Sequence, residues 1–208
     1  ANSSYGASLG WADLGLKADP FSARGVDMNA STLFSQKEIF ALCDQLSPLS
    51  VFTGITGVGK TTHAKMLAKH FLKNKRRPTQ LITASKTMKA AGLLKMVCCR
   101  FNIDMPPGDI VDELRIDSVR RTMLNRKEAI ALIIDDAQNL SDEALAAVIR
   151  LTGLQQNETK LQVALFGLPV VITRAQKEWE RCGQKEAFTQ GLIRSWGGDQ
   201  TEAYLISK

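Results

Sequence analysis

Metal-binding side chains are scarce in this sequence. It contains 2 His and 4 Cys, and no two cysteines form a C-x-x-C pair. Cys98 and Cys99 are adjacent, which is not a zinc spacing. His63 and His70 fall on one predicted helix with no further ligand at a useful spacing, so both read as structural or surface residues. Cys43, Cys98, Cys99 and Cys182 read as buried thiols of a reducing compartment. Aromatic residues make up only 6%, which argues against a stacking platform for single-stranded nucleic acid. No base-reading motif or zinc finger is present. No apolar run reaches the roughly 20 residues that a bilayer-spanning helix needs. Ala1-Asn2-Ser3-Ser4 opens the chain without the basic and apolar regions of a secretory leader. The expected location is therefore cytoplasmic. Internal repeats and low-complexity tracts are also missing.

What is present is ordinary globular composition: 208 residues, 44% hydrophobic and 23% charged, with a net charge of +6. This suffices for one sizeable α/β domain. The basic excess suits an acidic partner such as nucleic acid, or serves solubility alone. Residues 1–13 read as a flexible tail, 14–196 as the core, and 197–208 as a tail or the start of a further element. Apolar strands are expected at 49–53, 80–84, 129–134 and 161–166. Helices are expected at 31–46, 61–74, 85–101, 110–126, 141–151 and 170–182, with Ser141 as an N-cap. Beyond Gly183 no clear fifth strand can be placed. Strand alternating with helix implies a three-layer fold, a parallel sheet with helices on both faces.

The sharpest motif lies between the first strand and its helix. Gly54, Gly59, Lys60 and Thr61 satisfy G-x-x-x-x-G-K-[ST], the Walker A pattern of a P-loop NTPase. A polyphosphate must be gripped without bulky side chains intruding. Glycines let the backbone aim successive N–H groups inward, and the following helix adds its positive end. Gly54, Thr56, Gly57, Val58, Gly59, Lys60, Thr61 and Thr62 are the candidate ATP-binding residues. Lys60 is expected to reach the β- and γ-phosphates, and the Thr61 hydroxyl to meet Mg²⁺.

The third strand ends in Asp135-Asp136, the Walker B arrangement. Asp135 is the candidate second Mg²⁺ ligand. Asp136 is the candidate acid that polarises the attacking water, at a position where Glu is commoner; Asp is one methylene shorter. The alternative is a pair of acids capping the next turn.

Three blocks then carry a family resemblance. Leu14 to Ser22 resembles the lead-in of AAA+ ATPases of the ExeA (general secretion pathway A) type. Ile133-Ile134-Asp135-Asp136-Ala137-Gln138-Asn139-Leu140 resembles their acidic block, and Leu165-Phe166-Gly167-Leu168-Pro169 the block after their fourth strand. Transposition regulators of the Mu B kind belong to the same branch. The resemblance implies an AAA+ core with sheet order 5-1-4-3-2 and assembly into a ring or filament. It also implies a polar sensor at the position of Leu168 and a small helical lid, largely missing here, which Thr201 to Ile206 would begin. Arg194 is the candidate catalytic arginine acting on a neighbouring subunit, with a solvated surface arginine as its alternative.

Basic residues cluster after the first P-loop helix (Lys73, Lys75, Arg76, Arg77). More stand along the second (Lys86, Lys89, Lys95, Arg100) and third (Arg115, Arg120, Arg121, Arg126, Lys127). They make duplex DNA a candidate partner through phosphate contacts. Three readings follow. The first is an ExeA-like motor or assembly factor with a secretion partner protein. The second is a DNA-binding ATPase that regulates transposition, with a transposition partner. The third is a low-turnover nucleotide switch.

Overall fold

A computed structural model of the chain describes residues 35–44, 47–105, 113–152, 160–184 and 188–193, all within the unit Phe34–Ser195. Its strands are β1 (Leu49–Thr53), β2 (Thr79–Thr83), β3 (Ile130–Asp135), β4 (Leu161–Gly167) and β5 (Thr189–Leu192). All neighbours pair in parallel, in the order β2-β3-β4-β1-β5. Counted from the opposite edge this is 5-1-4-3-2. The helices are α1 (Ser35–Asp44), α2 (Lys60–Asn74), α3 (Ala90–Phe101), α4 (Glu113–Leu124), α5 (Asp142–Thr152) and α6 (Val170–Arg181), with a 3₁₀ turn at Ala137–Asn139.

The central strands explain their own apolar runs. Every residue of β1, β3 and β4 is buried, as expected of parallel strands covered on both faces. Successive side chains point to opposite faces, so the sheet serves two cores. Leu49, Val51, Ile130, Leu132, Ile134, Val163 and Leu165 pack with residues of α3 to α6. Phe52, Ala131, Ile133, Ala164 and Phe166 pack with residues of α1 and α2. Phe52 and Phe166 meet at 5.0 Å between ring centroids. A side chain of that size contributes about 2–3 kcal/mol by leaving water.

Several sequence expectations are corrected. A fifth strand exists, and it escaped detection because Thr189-Gln190-Gly191-Leu192 alternates half-buried and exposed residues with no apolar run. The helix expected at 85–101 starts at Ala90 instead, because Ser85 and Met88 close a turn (Met88 N–H to Ser85 O, 3.0 Å). On α2, Leu72 is 52% exposed despite its apolar side chain, while His63 and Met66 face inward. Cys43 and Cys98 are buried, but Cys99 is exposed and Cys182 half-buried. Burial pushes the Cys43 thiol up to about 12 against smaller opposing effects from Ser50 and Arg77. Ser141 does cap α5, its hydroxyl accepting the Ala144 N–H at 3.2 Å. The expected boundaries at 13/14 and 196/197, the lead-in, the lid segment and Arg194 lie outside the described residues.

Not all predicted surface cations face solvent. Arg77 donates to Gln162 Oε1 at 2.5 Å and lies over the Phe71 ring, and burial lowers its pKa, opposed by Asp44 and Cys43. Arg115 is buried. Arg126 donates to Phe101 O, Lys75 pairs with Asp44, and Arg120 pairs with Asp117. Lys73, Arg76, Lys86, Lys89, Lys95, Arg100, Arg121 and Lys127 are exposed.

Candidate active site

β1 delivers the chain into the loop Gly54–Gly59, and α2 begins at Lys60. Gly57 and Gly59 adopt φ 83° and 87°, a left-handed backbone that costs other L-residues about 1–2 kcal/mol. The loop is anchored at its root. Gly54 N–H donates to Gly167 O at 3.2 Å, and Ile193 N–H donates to Thr53 O at 2.7 Å. The first turn of α2 therefore presents its positive end at the sheet edge. Lys60 is 8% exposed. Its ammonium donates to Gly54 O at 3.0 Å and Ile55 O at 2.7 Å, and so lies across the loop. Thr56, Gly57 and Thr61 are exposed, while Val58 and Thr62 are half-buried.

His63 sits one turn into α2, at 6% exposure. Its Nδ1 lies 2.8 Å from Gly59 O, so Nδ1 carries the proton. Nε2 is buried without a hydrogen-bond partner among the described residues. Burial holds the His63 pKa below its ordinary value, and the Gly59 bond opposes this only partly.

Asp135 ends β3 and is 1% exposed. Phe52 pairs with Phe166 and Ile134 with Leu165, so Asp135 stands level with Phe52, one residue before the end of β1. Only β4 separates the two strands, a gap of about 10 Å across two strand spacings. Loop and acid thus emerge together at the carboxyl edge, where open parallel sheets bind ligands. Asp135 Oδ1 accepts the Asp136 N–H at 3.0 Å.

Asp136 has φ 54° and ψ 38° and makes no side-chain capping bond to the turn that follows, against the turn-capping alternative. Instead its Oδ1 accepts from Gln138 Nε2 at 3.1 Å. Gln138 Oε1 in turn accepts the Leu168 N–H at 3.2 Å. Arg174 of α6 clamps the turn from outside. Its guanidinium donates to Gln138 O (3.2 Å), Leu140 O (2.6 Å) and Asp142 Oδ1 (2.8 Å). Gln138, His63 and Arg174 were not among the site residues legible in the sequence. Gln138 lies inside the acidic block, but its partner is 30 residues away, and no spacing rule points to Arg174.

Oxygen donors suit Mg²⁺, which takes one or two carboxylates and completes its shell with phosphate and water. The exposed Thr61 hydroxyl and the Asp135 carboxylate at the same sheet edge fit that requirement.

A five-stranded parallel sheet of this order, with a glycine-rich loop after β1 and an acid ending β3, defines a P-loop NTPase with the AAA+ fold. Residues 44–174 match the AAA domain family, and the chain belongs to that family. No curated protein sequence matches significantly. Among solved structures it is similar to Cdc6p from Pyrobaculum aerophilum, at TM-score 0.62 and 15% identity over 88% of this chain and 54% of that one. It is similar to the Aeropyrum pernix ORC2 protein in its ADP form, at TM-score 0.58 and 10% identity over 88% and 56%. The Aeropyrum pernix ORC1 protein, solved in complex with DNA, gives TM-score 0.58 and 8% identity over 88% and 53%. The chain thus spans little more than half the length of these structures. Among the described residues, no helix is long and apolar enough to cross a membrane.

Proposed function

We propose that the chain binds ATP with Mg²⁺ at the Gly54–Thr62 loop, hydrolyses it, and couples that cycle to assembly into a ring or filament. On this reading it is an ExeA-like motor or assembly factor working with a partner protein. The observation that carries the reading is the meeting of the Lys60 loop and Asp135 at one sheet edge, with a single strand between them. Loop amides and Lys60 hold the β- and γ-phosphates. Thr61 and Asp135 hold the metal, which when bound neutralises charge developing on the phosphates. Asp136 orients the attacking water, and Arg194 of one copy reaches the site of the next. Residues 14–196 form the working core, and the leucine at 168 leaves polar sensing to other groups.

A second reading is favoured by one observation. Lys86, Lys89, Lys95 and Arg100 are all exposed on α3 and the loop before it, a surface suited to phosphate contacts. On that reading the chain assembles on duplex DNA and regulates transposition.

One experiment separates these readings. ATPase rate is measured with and without duplex DNA across a salt series, while light scattering follows assembly. The first reading expects turnover and nucleotide-dependent assembly that ignore DNA; stimulation on DNA would favour the second. Asp136→Asn should retain ATP binding and lose turnover. ATP binding with no turnover in any state would overturn both ATPase readings and leave a nucleotide switch.

A further inference from the structure

We propose that Gln138 is a positioning residue: its carboxamide ties the Asp136 carboxylate to the main chain at the end of β4, fixing which carboxylate oxygen is left to handle water. The inference rests on the ATPase reading above and adds to it a residue without contact to substrate.

The geometry is a closed relay. Gln138 Nε2 donates to Asp136 Oδ1 at 3.1 Å, and Gln138 Oε1 accepts the Leu168 N–H at 3.2 Å. Each end of one carboxamide is thereby used, and its orientation is fixed, since only the nitrogen can donate and only the oxygen can face an N–H. Gly167, next to Leu168, accepts the N–H of Gly54, the first residue of the phosphate loop. Asp136, Gln138, the β4 end and the loop root are thus linked by consecutive contacts.

The surroundings hold the bridge in place. A Cβ at Gly167 would stand 2.9 Å from Gln138 Oε1 and 2.7 Å from Val171 Cγ2, so the carboxamide occupies space that only glycine leaves open. On the other side Arg174 grips Gln138 O and Leu140 O and is itself held by Asp142. Asp136 is short and sits in a left-handed backbone conformation. With one oxygen committed to Gln138, its carboxylate cannot rotate freely, and the other oxygen keeps a single direction. A misplacement of about 1 Å at a reacting centre costs as much as a hundredfold in rate.

Two variants split the bridge. Gln138→Leu removes both contacts. Gln138→Glu keeps an oxygen that can accept the Leu168 N–H but replaces the donor to Asp136 with a repelling oxygen. Hydrogen exchange at the Leu168 amide reports one arm without reference to turnover. Single-turnover hydrolysis and titration with a fluorescent ATP analogue report the other. Leu168 protection is expected to persist in Gln138→Glu and to fall in Gln138→Leu. In both variants the single-turnover hydrolysis rate should drop about ten- to hundredfold, with nucleotide affinity within about twofold of the parent, too small a change for a lost charged contact. Full turnover in Gln138→Glu would assign Gln138 to holding β4 alone and overturn the proposal. Unchanged Leu168 exchange in Gln138→Leu would refute the bridge itself. A parent chain that binds ATP and never hydrolyses it would instead remove the ATPase reading, and the inference with it.

Discussion

Lys60 donates to two loop carbonyls while buried to 8% exposure. A phosphate entering the loop exchanges those neutral acceptors for charged ones, and hydrogen bonds to charged groups are worth about 1.5–3 kcal/mol. Lys60→Ala is therefore expected to weaken ATP binding by roughly ten- to a hundredfold. The check is the rise in Tm on adding ATP, which should shrink in the variant; an undiminished rise would remove Lys60 from the phosphate site. His63 gives a pH prediction. Its folded pKa lies below its unfolded value of about 6.5 because burial disfavours the charged ring. The unfolded chain then binds the extra proton first, so stability is fully present above about pH 6.5 and declines as pH falls toward the folded pKa. His63→Gln can still donate to Gly59 O and cannot titrate. Its Tm should fall less than the parent's between about pH 7.5 and 5.5, a window spanning the unfolded pKa, and parallel curves would acquit His63. At this scale the sequence reveals residues whose chemistry follows from local spacing. Lys60 and Thr61 are legible because loop and helix start are contiguous in sequence, and Asp135 because it closes an apolar strand run. His63 is not, because the inward face of α2 is fixed by how the helix docks, and the same docking leaves Leu72 exposed.

Among the elements, the turn Ala137–Asn139 has few apolar anchors, with only Ala137 of its three residues buried, and it depends on polar contacts from distant parts of the chain. Arg174 supplies them from α6, and Asn139 Nδ2 reaches Ala84 O at 3.3 Å beyond the end of β2. Arg174→Ala leaves the Gln138 and Leu140 carbonyls without that partner. A loss of about 1–3 kcal/mol is expected, with amide exchange speeding at residues 137–141 well before it does in β3. Uniform acceleration across the sheet would show that Arg174 supports the whole fold rather than the turn. Central strands and the P-loop helix are legible from sequence because burial on both faces leaves continuous apolar runs and the glycine loop marks the joint. β5 is illegible for the opposite reason. Among the described residues it is an edge strand paired only with β1, and none of its residues is fully buried, so no apolar run marks it. The start of α3 is misread because Ser85 to Lys89 lack a helix breaker, and only the turn closed by Met88 and Ser85 decides the boundary.

At the scale of the whole molecule, a net charge of +6 overstates the positive surface that a polyanion can meet. Arg77 is committed to Gln162 and Phe71, Arg115 is buried, Arg126 is bound to a backbone carbonyl, and Lys75 and Arg120 pair with acids. Lys86, Lys89, Lys95 and Arg100 are exposed along one helix and the loop leading into it. If duplex DNA is bound, these cations set the affinity, and counterion release sets how it depends on salt. Each phosphate contact contributes about 0.9 to the slope of log affinity against log salt. Replacing Lys86, Lys89 and Lys95 together by Gln should lower that slope by roughly 2–3 while leaving stability within about 1 kcal/mol of the parent's, as exposed substitutions generally do. Arg77→Gln should do the reverse. It removes a guanidinium packed against the sheet, so Tm falls while the salt slope stays where it was. Fluorescence anisotropy of a labelled duplex across a salt series, read beside thermal melts of the same proteins, distinguishes the two. An unchanged slope in the triple variant would exclude α3 as a DNA surface and return the basic excess to solubility. A slope that fell equally in Arg77→Gln would mean that the fold, rather than the exposed cations, carries the interaction.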